Sequence, residues 1–140
     1  RSTHCISWQR QMCIRDRGNL LKINLTFNSG AAFSLASSGT IFLSSFSLIM
    51  VGVIFYFSRK VKSTPWAVAL GLVLGGIFGN LSDRIFRSPG ALQGEVVDWI
   101  QIPMWPVFNI ADTAVVSAAV LITILSAKNI DFNGKGKSDE

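Results

Sequence analysis

Asp112 is the residue from which any chemistry of this chain has to be argued, because residues 105–127, WPVFNIADTAVVSAAVLITILSA, hold no other charge. A run of that length and apolarity is what a bilayer-spanning helix requires, at about 20 residues. A carboxylate inside it costs at least ~2.5 kcal/mol on insertion scales, so it needs a purpose and a partner. Asp98 is the candidate partner. It stands in Glu95-Val96-Val97-Asp98-Trp99-Ile100-Gln101-Ile102, a β-branched and aromatic stretch bounded by Gly94 and Pro103. Asp112 is expected seven residues into the last span, about 10 Å below its start at a 1.5 Å rise per residue, and a short dip of the Asp98 stretch would bring the acids together. Two carboxylates sharing a site cannot both ionise cheaply, so one is expected to hold a proton while the other is charged. Aspartic-protease chemistry needs that division. The ionised acid takes a proton from water as the water attacks a peptide carbonyl; the protonated acid supports the oxyanion and later donates to the leaving amine. Taken singly, Asp112 also fits a proton relay or an ion pathway, and Asp98 a solvated interfacial residue.

Other polar and small residues fall at spacings that could support such a pair. Asn109 precedes Asp112 by three residues on the same helix face and could orient it by a hydrogen bond, or could merely link helices. Gly71, Gly75 and Gly79 recur every four residues, a face against which a neighbouring backbone can pack closely. Asn80, Asp83 and Arg84 follow. Asp83 and Arg84 are read as braces of the adjoining loop, bonding its backbone or each other, with a lipid phosphate as a lesser option for Arg84.

The elements that must position these groups belong to a membrane. Of 140 residues, 49% are hydrophobic and 15% charged, and the mean hydropathy is +0.42. That balance excludes a water-soluble enzyme core and fits one integral membrane domain. The net charge of +5 comes from short basic clusters beside apolar spans, so topology explains it better than nucleic-acid binding. Cys5 and Cys13, with His4 nearby, make neither a zinc motif nor a disulfide framework, and no phosphate-binding glycine loop appears; no cofactor or metal is expected. Spans are expected at residues 40–57, at 66 to about 81 after Pro65, and at 105–127. The Arg59-Lys60-Lys62 loop and the lysine-bearing tail, residues 128–140, should then be cytoplasmic, with residues 85–104 outside. Arg1, Arg10, Arg15 and Arg17 would lie on the wrong side, so residues 1–18 are read as non-native or mis-translated sequence standing where a first helix belongs, with a short basic extension on a three-span protein as the alternative. Two extended segments face outward: Lys22-Ile23-Asn24-Leu25-Thr26-Phe27, which alternates polar and apolar, and the Asp98 stretch. They are expected to pair as a small sheet on the headgroups, with Trp99 and Trp105 at the interface.

Four blocks then resemble, in order, the motif set of the bacterial lipoprotein signal peptidase (signal peptidase II) family. They are Asn28-Ser29-Gly30-Ala31-Ala32-Phe33-Ser34, Gly75-Gly76-Ile77-Phe78-Gly79-Asn80-Leu81-Ser82-Asp83-Arg84, Val96-Val97-Asp98-Trp99 and Phe108-Asn109-Ile110-Ala111-Asp112-Thr113. The resemblance covers residues 20–127. It implies an all-α integral membrane protein, a transmembrane bundle of four helices of which three are present, with a small external β-cradle; residues 19–127 form the membrane-embedded aspartyl peptidase domain. It implies an inner-membrane endopeptidase, acting as a monomer among membrane lipids, that cuts prolipoproteins before a diacylglyceryl-modified cysteine. Asp98 and Asp112 match the catalytic pair. Asn28, Gly30, Asn80, Arg84 and Asn109 match positions that line or brace the site and its substrate. The departure is at the start, where the family's first helix carries an Asp and a Lys one turn apart; here Asp16 and Lys22 are six apart in no apolar helix, so that helix is expected to be missing. The rival reading from another class is a small proton-coupled transporter or membrane-embedded binding subunit using Asp112 as relay. Against it, residues 113–120 offer no further ionisable group.

Overall fold

The computed structural model describes residues 21–29 and 36–133. Along the chain the elements are β1 (Lys22–Asn28), α1 (Ala36–Ser58), α2 (Thr64–Phe86), β2 (Val96–Gln101) and α3 (Ile110–Ala127). All three helices are long and apolar enough to cross a bilayer. Phe42, Phe46 and Ile49 on α1 and Val116 and Val120 on α3 are exposed, each over half its area. Water would penalise such faces, and lipid does not. The chain is a multi-pass membrane protein built on a helix bundle, with one two-stranded sheet among the described residues.

Helix boundaries follow local chemistry. Pro65 stands in the first turn of α2, where its missing N–H costs nothing. The helix then runs five residues beyond the expected end and carries Asp83 and Arg84 in its last turn. The third helix departs more from expectation. It begins at Ile110, not at residue 105, because Pro103 and Pro106 cannot continue a ladder, Met104 takes φ 65, and Phe108 bonds across to Ile100. Asn109 caps it.

The sheet is antiparallel, with Thr26 opposite Asp98 and Asn28 opposite Val96. An irregularity lies between Ile23 and Thr26: three steps on β1 match two on β2. One extra residue reverses which side chains share a face, and so Asn28 falls on the face of Asp98. The sheet lies at the end of the bundle where α2 finishes and α3 starts. At the opposite end the loop after α1 meets the segment after α3, with Lys62 and Ser63 both donating backbone N–H groups to Phe132 O at 2.9 Å. The basic loop and the end of the last span therefore lie together, as the charge pattern requires.

Candidate active site

The register that places Asn28 on the Asp98 face gives it a hydrogen bond, Nδ2 to Asp98 Oδ2, at 3.0 Å. From the other side comes Asn109, whose Nδ2 donates to Asp98 Oδ1 at 2.8 Å. Asp98 itself is 3% exposed. Burial pushes its carboxyl above the usual carboxylate range; the Asn28 and Asn109 bonds draw it back, Asp112 adds to the rise, and the charge of Arg84 opposes it.

Asp112 is held by the start of α3. Asn109 Oδ1 accepts from Asp112 N at 3.0 Å and Asn109 N donates to Asp112 Oδ2 at 3.2 Å, which is a capping box with an Asp in place of the usual Glu. Asn80 on α2 donates from Nδ2 to Asp112 Oδ1 at 2.8 Å, and its own Oδ1 accepts from Asn109 Nδ2 at 3.0 Å. All four carboxylate oxygens thus receive an amide N–H, and among the described residues Asn109 alone hydrogen-bonds both acids. Asp112 is not deep in a span. It lies in the first turn of its helix; the expected depth of about 10 Å is wrong because the helix starts late.

The bracing residues differ in detail from the sequence reading. Asp83 does not pair with Arg84: its Oδ1 meets Arg87 Nε at 2.7 Å, and its Oδ2 accepts from Val97 N at 3.1 Å. It ties the end of α2 to the strand that carries Asp98. Arg87 was legible, since it stands four residues on from Asp83. Arg84 is buried beside Asp98, and its Nη1 has no hydrogen-bond partner among the described residues. The glycine face differs from the four-residue spacing except at Gly79. A Cβ on Gly71 or Gly75 would meet nothing within 4 Å, whereas one on Gly76 would lie 2.5 Å from Ala111 O and Val115 Cγ2, and one on Gly79 2.9 Å from Ala111 Cβ. The close approach of α3 thus falls on Gly76 and Gly79, three residues apart, and Gly75 has no such part in it. The sequence marks Gly94 only as a boundary of the Asp98 stretch. Its N–H bonds Arg84 O at 3.0 Å, and a Cβ there would sit 2.5 Å from Asp83 O. Gly30 lies outside the described residues, as do His4, Cys5, Cys13 and residues 1–18.

Similarity to known proteins points the same way. The family model for signal peptidase (SPase) II matches residues 3–128, and so takes in much of the stretch set aside at the start of the chain. The lipoprotein signal peptidase of Mycobacterium avium (strain 104) is 46% identical over 120 residues, 86% of this chain and 66% of that protein. That of Streptomyces griseus is 45% identical over 122 residues, 87% of this chain and 62% of that one. The chain spans less than two thirds of the length of these curated relatives. A bacterial membrane enzyme structure obtained by the in meso method at 1.9 Å resolution superposes with a TM-score of 0.74 at 28% identity, covering 86% of this chain and 79% of that one. The family match spans all the residues that build the sheet, the three helices and the two-acid cluster, and on that extent this chain belongs to the signal peptidase II family.

Proposed function

We propose that the protein is an aspartyl endopeptidase that removes signal peptides from prolipoproteins, cutting just before the diacylglyceryl-modified cysteine. The observation that carries this reading is the single residue Asn109 bonded to both Asp98 and Asp112. A pair so joined can share one proton, and the raised proton affinity of Asp98 makes it the member that keeps it. Asp112 then accepts a proton from the attacking water. Asp98 donates a hydrogen bond to the oxyanion that forms on the scissile carbonyl, and a proton passes to the amine as the C–N bond breaks.

The remaining site residues support these steps. Asn80 and Asn109 hold the acids in register, Asn28 steadies Asp98 from the sheet, and Asn28, Gly30 and Arg84 contribute to substrate binding. No metal or other cofactor enters. The run of basic residues at Arg59, Lys60 and Lys62 and in the tail supports a cytoplasmic side for that end of the bundle, and with it acids that act at the outer face of the inner membrane. A lipidated substrate can bring its acyl chains through the bilayer while its scissile bond stays at that interface.

The test is cleavage of a diacylglyceryl-modified prolipoprotein by the protein in proteoliposomes, with Asp112→Asn, confirmed as folded, as control. Cleavage before the modified cysteine by the parent and none by the variant is the expected result. An intact substrate after incubation with folded parent, or equal cleavage by the variant, overturns the reading.

A further inference from the structure

Beside the acid pair lies a recess of mixed polar and apolar lining. A crevice of about 240 Å³ is walled by Gly79, Val97, Trp99 and Ile110 and reaches Asn80 and Asn109. Side chains alternate along a strand, so Val97 and Trp99 turn one way and Asp98, between them, the other. Neither Asp98 nor Asp112 lines the crevice, but the two asparagines that do line it are those bonded to the acids. They form the partition between crevice and acid pair. The Asp83–Arg87 ion pair, partly exposed, also lines the crevice and makes its mouth polar.

The partition can be crossed at one residue. Asn109 uses both amide hydrogens, on Asp98 and Asn80, and one Oδ1 lone pair on Asp112 N, so it has no N–H left to give a water. Asn80 spends one hydrogen on Asp112 and one lone pair on Asn109, which leaves it one N–H and one lone pair for a water. At ~30 Å³ per water the crevice has room for several, and it offers the polar partners that hold them.

We infer that this crevice is the water port of the peptidase: it supplies the hydrolytic water from the side away from the substrate, with Asn80 as the positioning residue that passes the water to Asp112. The inference rests on the proposed function. A peptide extended over the acids, with its acyl chains alongside, shields them from bulk water on the substrate side, yet each turnover consumes one water. An entrance behind the asparagines meets that need and leaves the substrate in place.

The experiment plugs the crevice reversibly. Ile110 is 64% exposed, so Ile110→Cys, in a Cys5→Ser, Cys13→Ser background, should fold and accept a bulky aromatic methanethiosulfonate that dithiothreitol later removes. With modified prolipoprotein as substrate, the adduct should lower kcat by about tenfold or more with KM within about twofold, and reduction should restore the rate. Val97→Trp, filling the crevice from the sheet side, should act likewise. An adduct that leaves kcat unchanged, or that raises KM as much as it lowers kcat, overturns the water port. If the unmodified parent cuts and the adduct cuts equally fast, the port alone falls; if the folded parent does not cut, port and proposed function fall together.

Discussion

An acid that must give and regain a proton is best held by neutral partners, since an ion pair would fix its charge, and here neutral amides reach every oxygen of Asp98 and Asp112. In the proposed mechanism the proton transfers then fall to the two acids. Asp98→Asn and Asp112→Asn should each lower turnover by about 10³-fold or more while the protein still inserts and unfolds cooperatively, checked by prolipoprotein cleavage beside thermal unfolding. The pH profile gives a finer test. Asn28 donates to Asp98 and favours its charged form, so Asn28→Ala removes an influence that lowers its proton affinity. The alkaline limb of kcat/KM, where the pair loses its one proton, should therefore move to higher pH in that variant; an unmoved or lowered limb would show that Asp98 is not the proton holder. Stability has the same sign logic. Asp98 binds its proton more tightly folded than unfolded, so stability falls as pH rises above 3.8 toward the raised value, and Asp98→Asn should flatten that slope. At this scale the two acids and Asn109 could be read from the sequence, because a lone charge in an apolar run and an i, i+3 neighbour are local patterns. The bond from Asn28 could not, for it depends on one extra residue in the pairing of β1 with β2.

Elements fix these distances by touching closely at few points. α2 and α3 meet where Gly76 faces Ala111 O and Val115, directly before Asp112, and where Gly79 faces Ala111 Cβ. Gly76→Ala should thus overpack the contact, costing about 1–3 kcal/mol in stability and displacing the start of α3, with cleavage falling as well. Gly75→Ala meets nothing, and since Ala is the better helix former it should be neutral or slightly stabilising. Melting both variants in one detergent separates the two faces; equal destabilisation would restore the four-residue glycine face that the sequence implies. That face misled because a repeat of four marks a stripe on a helix, and only the partner's placement decides which stripe is covered. At the outer end of α2, Asp83 joins the helix to the strand through Val97 N. Asp83→Asn keeps the shape but loses the charge on two bonds, so abundance and thermal stability should drop before turnover does, by about 1–2 kcal/mol. Loss of turnover in a fully stable Asn variant would move Asp83 into the reaction. The start of α3 is the other lesson here. Hydropathy counts residues 105–109 with the span, yet two prolines and a capping asparagine end the helix at Ile110, and so the acid sits in a first turn.

The whole molecule separates its tasks by end. Asp98, Asp112 and the sheet occupy one end; at the other, Trp66, Ala69 and Leu125 form a buried cluster onto which Ile130 packs. Trp66 Nε1 donates to Ile130 O at 2.7 Å, and its ring stacks on Phe132 with centroids 4.3 Å apart. Arg59 and Lys60 lie over the rings of Phe55 and Tyr56 close by. This clasp ties the chain after α3 back to the loop before α2, and so holds together the feet of the two helices whose far ends carry the acids. Charge pattern alone placed the loop and the tail on one side, but nothing in the sequence pairs Phe132 with Trp66; that contact joins residues far apart in the chain and follows only from packing. If the clasp serves the fold and not the reaction, Phe132→Ala should lower thermal stability by about 1 kcal/mol, a modest loss because Phe132 is 43% exposed. Below the melting range its kcat/KM for prolipoprotein should stay within about twofold of the parent, and its pH limbs should not move. A folded Phe132→Ala protein with turnover reduced tenfold would mean that α2 and α3 act as rigid levers, so that loosening their feet shifts Asn80 against Asp112, and the two ends would have to be treated as one mechanical unit.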